Sequence, residues 1–143
     1  METSIVNQFF VYSSLRKGFN QPAYEYIAKY FEFAGTGKVK GILSDSGNMA
    51  VGTACRQDHF LIGELYKLKN DRDLEWVFAQ LDGYEGVSST PDEPVLYRRE
   101  IVTVFQEENK ISQAWIYWYN GDVRSMPIIE SGDIFEYLKL HSS

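Results

Sequence analysis

The sequence predicts an α+β fold, in which several short strands curl into a small β-barrel-like sheet with a few helices packed outside it. Short runs rich in β-branched and aromatic residues, broken by glycines, outnumber the three segments with helical spacing. These runs do not alternate regularly with helices, which argues against a doubly wound parallel sheet. With 143 residues, 44% hydrophobic and 15% aromatic, we expect one compact domain over residues 1–143.

The first predicted elements are a buried strand and a helix. Residues 8–15 are apolar and aromatic up to Tyr12 and then small and polar, which indicates a strand that ends in a loop. Asn20 is a candidate N-cap for the helix, and Pro22 suits its first turn. The apolar side chains at helical spacing are those of Ala23, Tyr24, Ile27, Tyr30 and Phe31.

Three short strands are predicted next. The first two cover residues 36–43 and 50–54, around a turn at residues 44–48 that is rich in Ser, Asp, Gly and Asn. The third covers residues 60–68, and Gly63 within it indicates a bulge or a close approach of another chain segment.

A second helix is predicted after Asn70 or Asp71, either of which can serve as its N-cap. Its apolar residues recur at i, i+3, i+4 and i+7 and give a core stripe of Leu74, Val77, Phe78 and Leu81. We expect Gly83 to end this helix. A loop rich in Ser, Thr and Pro follows at residues 87–94.

A hairpin is predicted from strands at residues 97–105 and 111–119, joined at residues 107–110. Arg98 and Arg99 fall on opposite faces of the first strand, so we expect one to pair with a carboxylate and the other to meet solvent. Trp115, Tyr117 and Tyr119 share one face of the second strand, where tyrosines are usually core residues. A terminal helix is expected after Ser131 or Asp133, with buried side chains at Ile134, Phe135 and Leu138.

Composition and charge limit the partners. The net charge of −6 and the pI of about 4.9 argue against nucleic acid and anionic membrane surfaces. No segment has the roughly 20 apolar residues that cross a bilayer, and no basic-then-apolar leader begins the chain, so we expect a cytoplasmic protein. Cys55 is the single cysteine, and with His59 and His141 it makes a poor metal set. We expect no metal, no cofactor and no disulfide; the oligomeric state stays open.

Two segments far apart in the chain predict one small-molecule site. The segment at residues 9–18, where a strand opens into a loop, can offer free main-chain N–H groups to an anion. The segment at residues 81–86, at a helix exit, can hold the lone carboxylate of Glu85. An acid/base carboxylate that faces an anion-binding loop suits a substrate that carries its own carboxylate.

These segments carry a resemblance to a known family. Tyr12-Ser13-Ser14-Leu15 resembles the Tyr-Gly-Ser/Thr-Leu signature of the γ-glutamylcyclotransferase-like (AIG2-like, BtrG-like) superfamily, and residues 81–86 resemble the segment with its catalytic glutamate. Shorter matches lie at residues 63–66, 97–99, 114–117 and 129–133, so the resemblance covers nearly the whole chain. It implies a mixed β-barrel with flanking helices, and an enzyme that cyclises a γ-glutamyl amide to 5-oxoproline and releases the amine.

The resemblance also implies roles for individual residues. Glu85 is the expected general base and then general acid, and Tyr12, Ser13, Ser14 and Leu15 form the expected substrate loop. Apart from the resemblance, either Tyr117 or Tyr119 could point into the pocket, and Tyr119 is the better candidate for a hydrogen-bond donor to the substrate. We expect Glu64 to be structural or to support a residue that touches the substrate. The chain departs from the family where Ser13 replaces the usual glycine, since a residue with a Cβ adopts positive φ less freely. Residues 47–50 also lack the family's proline-containing turn.

Other interpretations remain beside this one. Most glutamates just past a helix end are solvated and have no function, and a solvated Glu85 without a function is therefore one interpretation. A serine nucleophile at Ser13 or Ser14 fits poorly, because no Gly-x-Ser-x-Gly elbow is present and neither histidine lies in the context of a triad. A module that binds a γ-glutamyl-type metabolite or a protein partner without turnover is the serious alternative. The leaving amine stays open, because variable loops such as residues 87–94 would read it.

Overall fold

The structure is a computed structural model that describes residues 6–12, 22–45, 50–55, 59–85, 97–134, 136 and 137. Within these ranges it leaves out the side chains of residues 22–24, 26 and 83–85. The strands are β1 (Gln8–Val11), β2 (Phe31–Asp45), β3 (Ala50–Ala54), β4 (Phe60–Leu68), β5 (Tyr97–Phe105) and β6 (Ile111–Tyr119). The helices are α1 (Pro22–Tyr30) and α2 (Leu74–Glu85).

Five strands close into a mixed barrel, as the sequence and the resemblance predict. The order around the barrel is β2, β4, β1, β6 and β5, and β3 adds to the outside of β2. Strands β1 and β6 are parallel, and the other pairs are antiparallel. A single residue pair, Lys38 with Phe105, joins β5 back to β2. There the Gln106 side-chain amide donates to the carbonyls of Ala34, at 3.2 Å, and Thr36, at 3.1 Å.

The apolar side chains form two clusters, one on each side of the barrel wall. The interior cluster includes Phe10, Leu61, Leu65, Ile116 and Trp118. The outer cluster packs α1 and α2 against the wall and contains Phe9, Val11, Ile27, Phe31, Tyr66, Leu68, Val77, Phe78, Leu81 and Tyr117. Alternate residues of one strand therefore serve different cores, as the two-residue period of a strand requires.

Gly63 marks a close approach between strands and not a bulge. A Cβ at this position would lie 2.1 Å from the Val11 carbonyl oxygen, so any side chain there would push β1 away from β4. The bulge of this sheet lies on β2 instead, where the register to β4 shifts between Phe33 and Gly35. Gly35 has a φ of 115°, which suits a residue without a Cβ.

The structure corrects three predicted boundaries. Phe31 begins β2 and does not belong to the first helix; its place in the same outer core as Ile27 explains the helical spacing. Ser44 and Asp45 extend β2 by pairing with β3, so they are not turn residues. Gly83 does not end α2, which continues to Glu85. Tertiary contacts of the preceding turn, described below, offset the cost of about 1 kcal/mol for a glycine inside a helix.

Other predicted elements are confirmed. The Asn70 side chain accepts from the Arg72 N–H and caps the turn that leads into α2. The hairpin pairs from Tyr97 with Tyr119 to Phe105 with Ile111, at the predicted bounds. Ile134 is helical and buried, and the Tyr137 N–H donates to the Asp133 carbonyl one turn earlier. The predicted N-cap Asn20, the predicted core residues Phe135 and Leu138, the loop 87–94 and residues 47–49 lie outside the described residues.

Candidate functional site

The parallel pair of β1 and β6 brings two predicted site residues to one end of the barrel. Phe9 of β1 lies opposite Trp115 of β6, and both strands run in the same direction. Tyr12, directly after β1, and Tyr119, the last residue of β6, therefore lie at the same end. The Phe9 ring contacts the Tyr117 ring edge-on at 5.5 Å and the Phe78 ring of α2 at 5.9 Å. Helix α2 thus packs on the same two strands.

Tyr12 is buried where the candidate loop begins. Its hydroxyl donates to the main-chain carbonyl of Tyr117 at 2.5 Å. A Cβ on Gly52 would lie 2.6 Å from the Tyr12 ring, so the glycine leaves room for the ring beside β3. The side chain of Tyr12 therefore fixes the loop entrance to β6. The other predicted loop residues, Ser13, Ser14 and Leu15, lie outside the described residues.

The last turn of α2 is held to the barrel by an ion pair. Arg99 Nε donates to Asp82 Oδ1 at 2.7 Å, and Arg99 Nη2 donates to Oδ2 at 3.2 Å. The Tyr117 hydroxyl donates to Asp82 Oδ1 at 2.8 Å. The side chains of Arg99 and Asp82 are only 23% and 18% exposed, which makes their contact stronger than a surface ion pair.

Two aromatic rings hold the guanidinium of Arg99 in place. Its central carbon lies 4.3 Å from the Trp115 ring centroid and 4.8 Å from that of Phe78. Such contacts between a cation and the face of a ring add to the ion pair. Arg99 therefore pairs with a carboxylate, as predicted for one of the two arginines. Arg98, on the opposite face, is half-exposed and contacts Glu100 at 3.2 Å and Asn120 at 3.1 Å.

Glu85 is the last residue of α2, three positions after Asp82. Three residues are nearly one helical turn, so the Glu85 backbone lies about 4.5 Å farther along the axis than Asp82. Because Asp82 contacts Tyr117 and Tyr117 contacts Tyr12, this helix end lies at the barrel end where the candidate loop begins. The Glu85 side chain lies outside the described part of the structure.

The structure also places the remaining candidates. Tyr119 is half-buried, packs edge-on against Tyr97 at 5.6 Å, and leaves the prediction of a substrate contact open. Tyr117 is buried, as expected for a core tyrosine with a bonded hydroxyl. Glu64 pairs with Val11 across β1 and β4, is 7% exposed and accepts from the Tyr66 hydroxyl at 2.8 Å. These contacts support its structural role.

A shallow groove of about 300 Å³ runs beside this ion pair, between α2 and the β5–β6 hairpin. Its walls are mainly apolar and are formed by Leu74, Glu75, Phe78, Ala79, Asp82, Arg99 and Trp115. Among the described residues, no group of His, Cys, Asp and Glu could hold a metal ion. Nor does any described helix have the length and apolar content to cross a membrane.

Sequence reasoning missed the contacts of Asp82, Arg99 and Tyr117 with one another. One signal was present: Asp82 stands four positions after Phe78, which places an acid beside the apolar stripe of a helix. An acid at such a position needs a partner, and Arg99 was already expected to pair with some carboxylate. The pairing itself depends on how α2 docks, which the sequence pattern does not specify.

Comparison with known proteins supports both the fold and the resemblance. A model of the family described as "Gamma-glutamyl cyclotransferase, AIG2-like" matches residues 9–136. A putative gamma-glutamylcyclotransferase from Methanocaldococcus jannaschii is 30% identical over 129 residues, which cover 90% of this chain and 95% of that protein.

Solved structures share the fold at lower identity. An AIG2-like protein from Mus musculus superposes with a TM-score of 0.64 and 23% identity over 89% of this chain and 88% of that one. YkqA from Bacillus subtilis superposes with a TM-score of 0.69 and 22% identity over 95% of this chain. This chain spans only 42% of YkqA. At these identities the solved structures are evidence for the fold alone, and they confirm the predicted α+β barrel.

Proposed function

This chain belongs to the γ-glutamyl cyclotransferase, AIG2-like family, and from that premise we propose that it cyclises the γ-glutamyl group of a small-molecule amide. The products are 5-oxoproline and a free amine. The names of the family and of the archaeal relative indicate a γ-glutamylcyclotransferase-like enzyme. The cyclisation reaction and the roles of individual residues in it are what we propose.

The reaction is an intramolecular acyl transfer. The substrate's α-amine loses a proton and attacks its own γ-carbonyl, which forms a five-membered lactam. The bond from the γ-carbonyl carbon to the leaving nitrogen then breaks, and that nitrogen takes up a proton. Because nucleophile and electrophile belong to one molecule, a site that holds them in contact can draw on effective molarities on the order of 10⁵ M or more. No step needs a protein nucleophile, a metal or a cofactor.

Glu85 is the group that we assign to the proton transfers. One carboxylate can accept the proton of the α-amine and later deliver it to the departing nitrogen. This sequence of steps requires the carboxylate to stand beside a folded glutamyl group. The main-chain N–H groups of Ser13, Ser14 and Leu15 would bind the α-carboxylate or the developing oxyanion, and Tyr119 would donate a further hydrogen bond.

One observation carries the proposal: the chain of contacts from Tyr12 through Tyr117 to Asp82. It ties the beginning of the candidate loop and the last turn of α2 to the same residue of β6. The two segments predicted to form one site are some seventy positions apart in sequence. Their common attachment supports the idea that the loop and Glu85 lie at the same end of the barrel.

The test is turnover of a panel of γ-glutamyl amines, γ-glutamyl amino acids and γ-glutamyl-lysine, measured as 5-oxoproline release. We expect wild-type turnover of at least one substrate, and a fall of at least about 100-fold in Glu85→Gln, which keeps the size of the side chain but removes the base. Glu75→Gln is the matched control, because Glu75 is exposed at the opposite end of the same helix.

The outcomes of this test decide whether Glu85 is the catalytic group and whether the protein is an enzyme or a binding module. Equal turnover by wild type and Glu85→Gln would remove Glu85 from its role. A wild-type protein that binds γ-glutamyl ligands by calorimetry but releases no 5-oxoproline would favour the binding module without turnover.

A further inference from the structure

The reaction described above gives the buried Tyr117 no part in the chemistry. Two of the polar contacts of Tyr117 lead in opposite directions from β6. Resting on the proposed function, we propose that Tyr117 is a positioning residue that sets the distance between the substrate loop and the helix end with Glu85. It does so without touching the reacting atoms.

The side chain of Tyr117 holds the helix half of the site. Its hydroxyl donates to Asp82 Oδ1 at 2.8 Å, and the same oxygen accepts from Arg99 Nε at 2.7 Å. Tyr117 is only 4% exposed, so water competes little for this bond. Its ring is packed edge-on against Phe9, which leaves the hydroxyl little freedom to move.

The main chain of Tyr117 holds the loop half. Its carbonyl oxygen accepts from the hydroxyl of Tyr12, whose ring lies inside the barrel near Trp118 at 6.4 Å between centroids. The two contacts use opposite faces of the barrel wall, since Tyr12 belongs to the interior cluster and Tyr117 to the outer one. A movement of β6 at this residue would therefore shift both halves of the site.

The kinetic consequence follows from what each half does. Substrate recognition belongs mainly to the loop, whereas proton transfer depends on the position of Glu85. Loss of the Tyr117 hydroxyl removes one of the hydrogen bonds that hold Asp82 and so loosens the helix end, but it leaves the Arg99–Asp82 pair and the main-chain contact to Tyr12. Because a displacement of about 1 Å can cost about 100-fold in rate, the loss should lower kcat far more than it changes KM.

The test is Tyr117→Phe, which removes one hydroxyl and keeps the ring. The matched control is Tyr137→Phe, which also removes a single tyrosine hydroxyl bonded to a carboxylate, at 2.7 Å, but that carboxylate is Asp45 of β2 and not Asp82 of α2. We expect Tyr117→Phe to lower kcat by about tenfold or more and to change KM less than about threefold. We expect Tyr137→Phe to keep both values. Circular dichroism and a urea titration establish that each variant is folded at the assay temperature.

A second variant keeps the proposal testable if one substitution acts through stability. Asp82→Ala, which removes the acceptor of the Tyr117 hydroxyl, should lower kcat as well, and the double variant should lose less than the product of the two single losses, because both substitutions remove the same hydrogen bond. Unchanged kcat in Tyr117→Phe, or equal losses in Tyr117→Phe and Tyr137→Phe, would overturn the positioning role while the proposed function stands. A wild type inactive on the whole panel would overturn both.

Discussion

Substitution of Asp82 by asparagine should destabilise the fold, whereas the same substitution at Asp122 should not. Both aspartates pair with an arginine at close distance: Asp82 with Arg99 at 2.7 Å and Asp122 with Arg124 at 2.8 Å. They differ in exposure, since the side chains of Asp82 and Arg99 are 18% and 23% exposed, against 60% and 89% for Asp122 and Arg124. The two substitutions therefore compare a partly buried ion pair with an exposed one.

The size of the effect follows from the contacts. An amide at position 82 can still accept at one oxygen, but its NH₂ group would then face Arg99 Nη2, donor against donor. One charge-assisted hydrogen bond is lost, and the guanidinium between two rings loses its counter-charge. Hydrogen bonds to charged groups contribute about 1.5–3 kcal/mol, so we expect the free energy of unfolding to fall by about 2 kcal/mol.

Urea unfolding followed by far-UV circular dichroism measures the change. With an m-value of about 2 kcal/mol per molar urea, the midpoint of Asp82→Asn should move down by about 1 M. The midpoint of Asp122→Asn should coincide with wild type. If both variants unfolded at the wild-type midpoint, the Asp82–Arg99 pair would not hold the last turn of α2 and would not fix the position of Glu85.

Two further predictions concern regions outside the site. Glu108 and Asn109 both have a φ of 61°, and the Lys110 N–H donates back across them, as in a type I′ turn. Glu108→Asn combined with Asn109→Gly should therefore raise the free energy of unfolding by about 1 kcal/mol in a urea titration, and an unchanged or lower midpoint would contradict this. The Asp45 carboxylate, by accepting the Tyr137 hydroxyl, raises the Tyr137 pKa, and burial adds to the shift. The stabilisation of the fold by this hydroxyl is thus present below pH 10 and is lost as the pH rises above 10. At high pH the melting temperature of Tyr137→Phe should therefore fall less than that of the wild type.

Local patterns predicted the elements better than their ends. The hairpin of β5 and β6 was predictable at its bounds because alternation and a polar turn agree. The end of α2 was not, because contacts of Asp82 with other elements carry the helix past Gly83. The predicted start of β2 was also wrong, since Phe31 is buried in the same core whether it continues a helix or begins a strand.

The candidate site was predictable as two segments but not as an arrangement. Motif resemblance selected Tyr12 and Glu85, and the hairpin pattern placed Tyr117 and Arg99 on facing strands. Residues 17 and 35 positions from Asp82 meet it only because α2 crosses β5 and β6. That crossing depends on how Phe78 packs against Phe9 and Trp115, which is a property of the assembled core.

The single residue pair that closes the barrel lies at the end of β5 away from Tyr97 and Tyr119. Lys38 meets Phe105 at one end of β5, whereas Tyr97, at the other end, lies beside Tyr119. Eight residue-to-residue steps along β5 separate the two ends, about 26 Å. Along β5, local opening of the wall can therefore begin at the Lys38–Phe105 pair, beside the Gln106 side chain, while the pair of Tyr97 with Tyr119 stays formed.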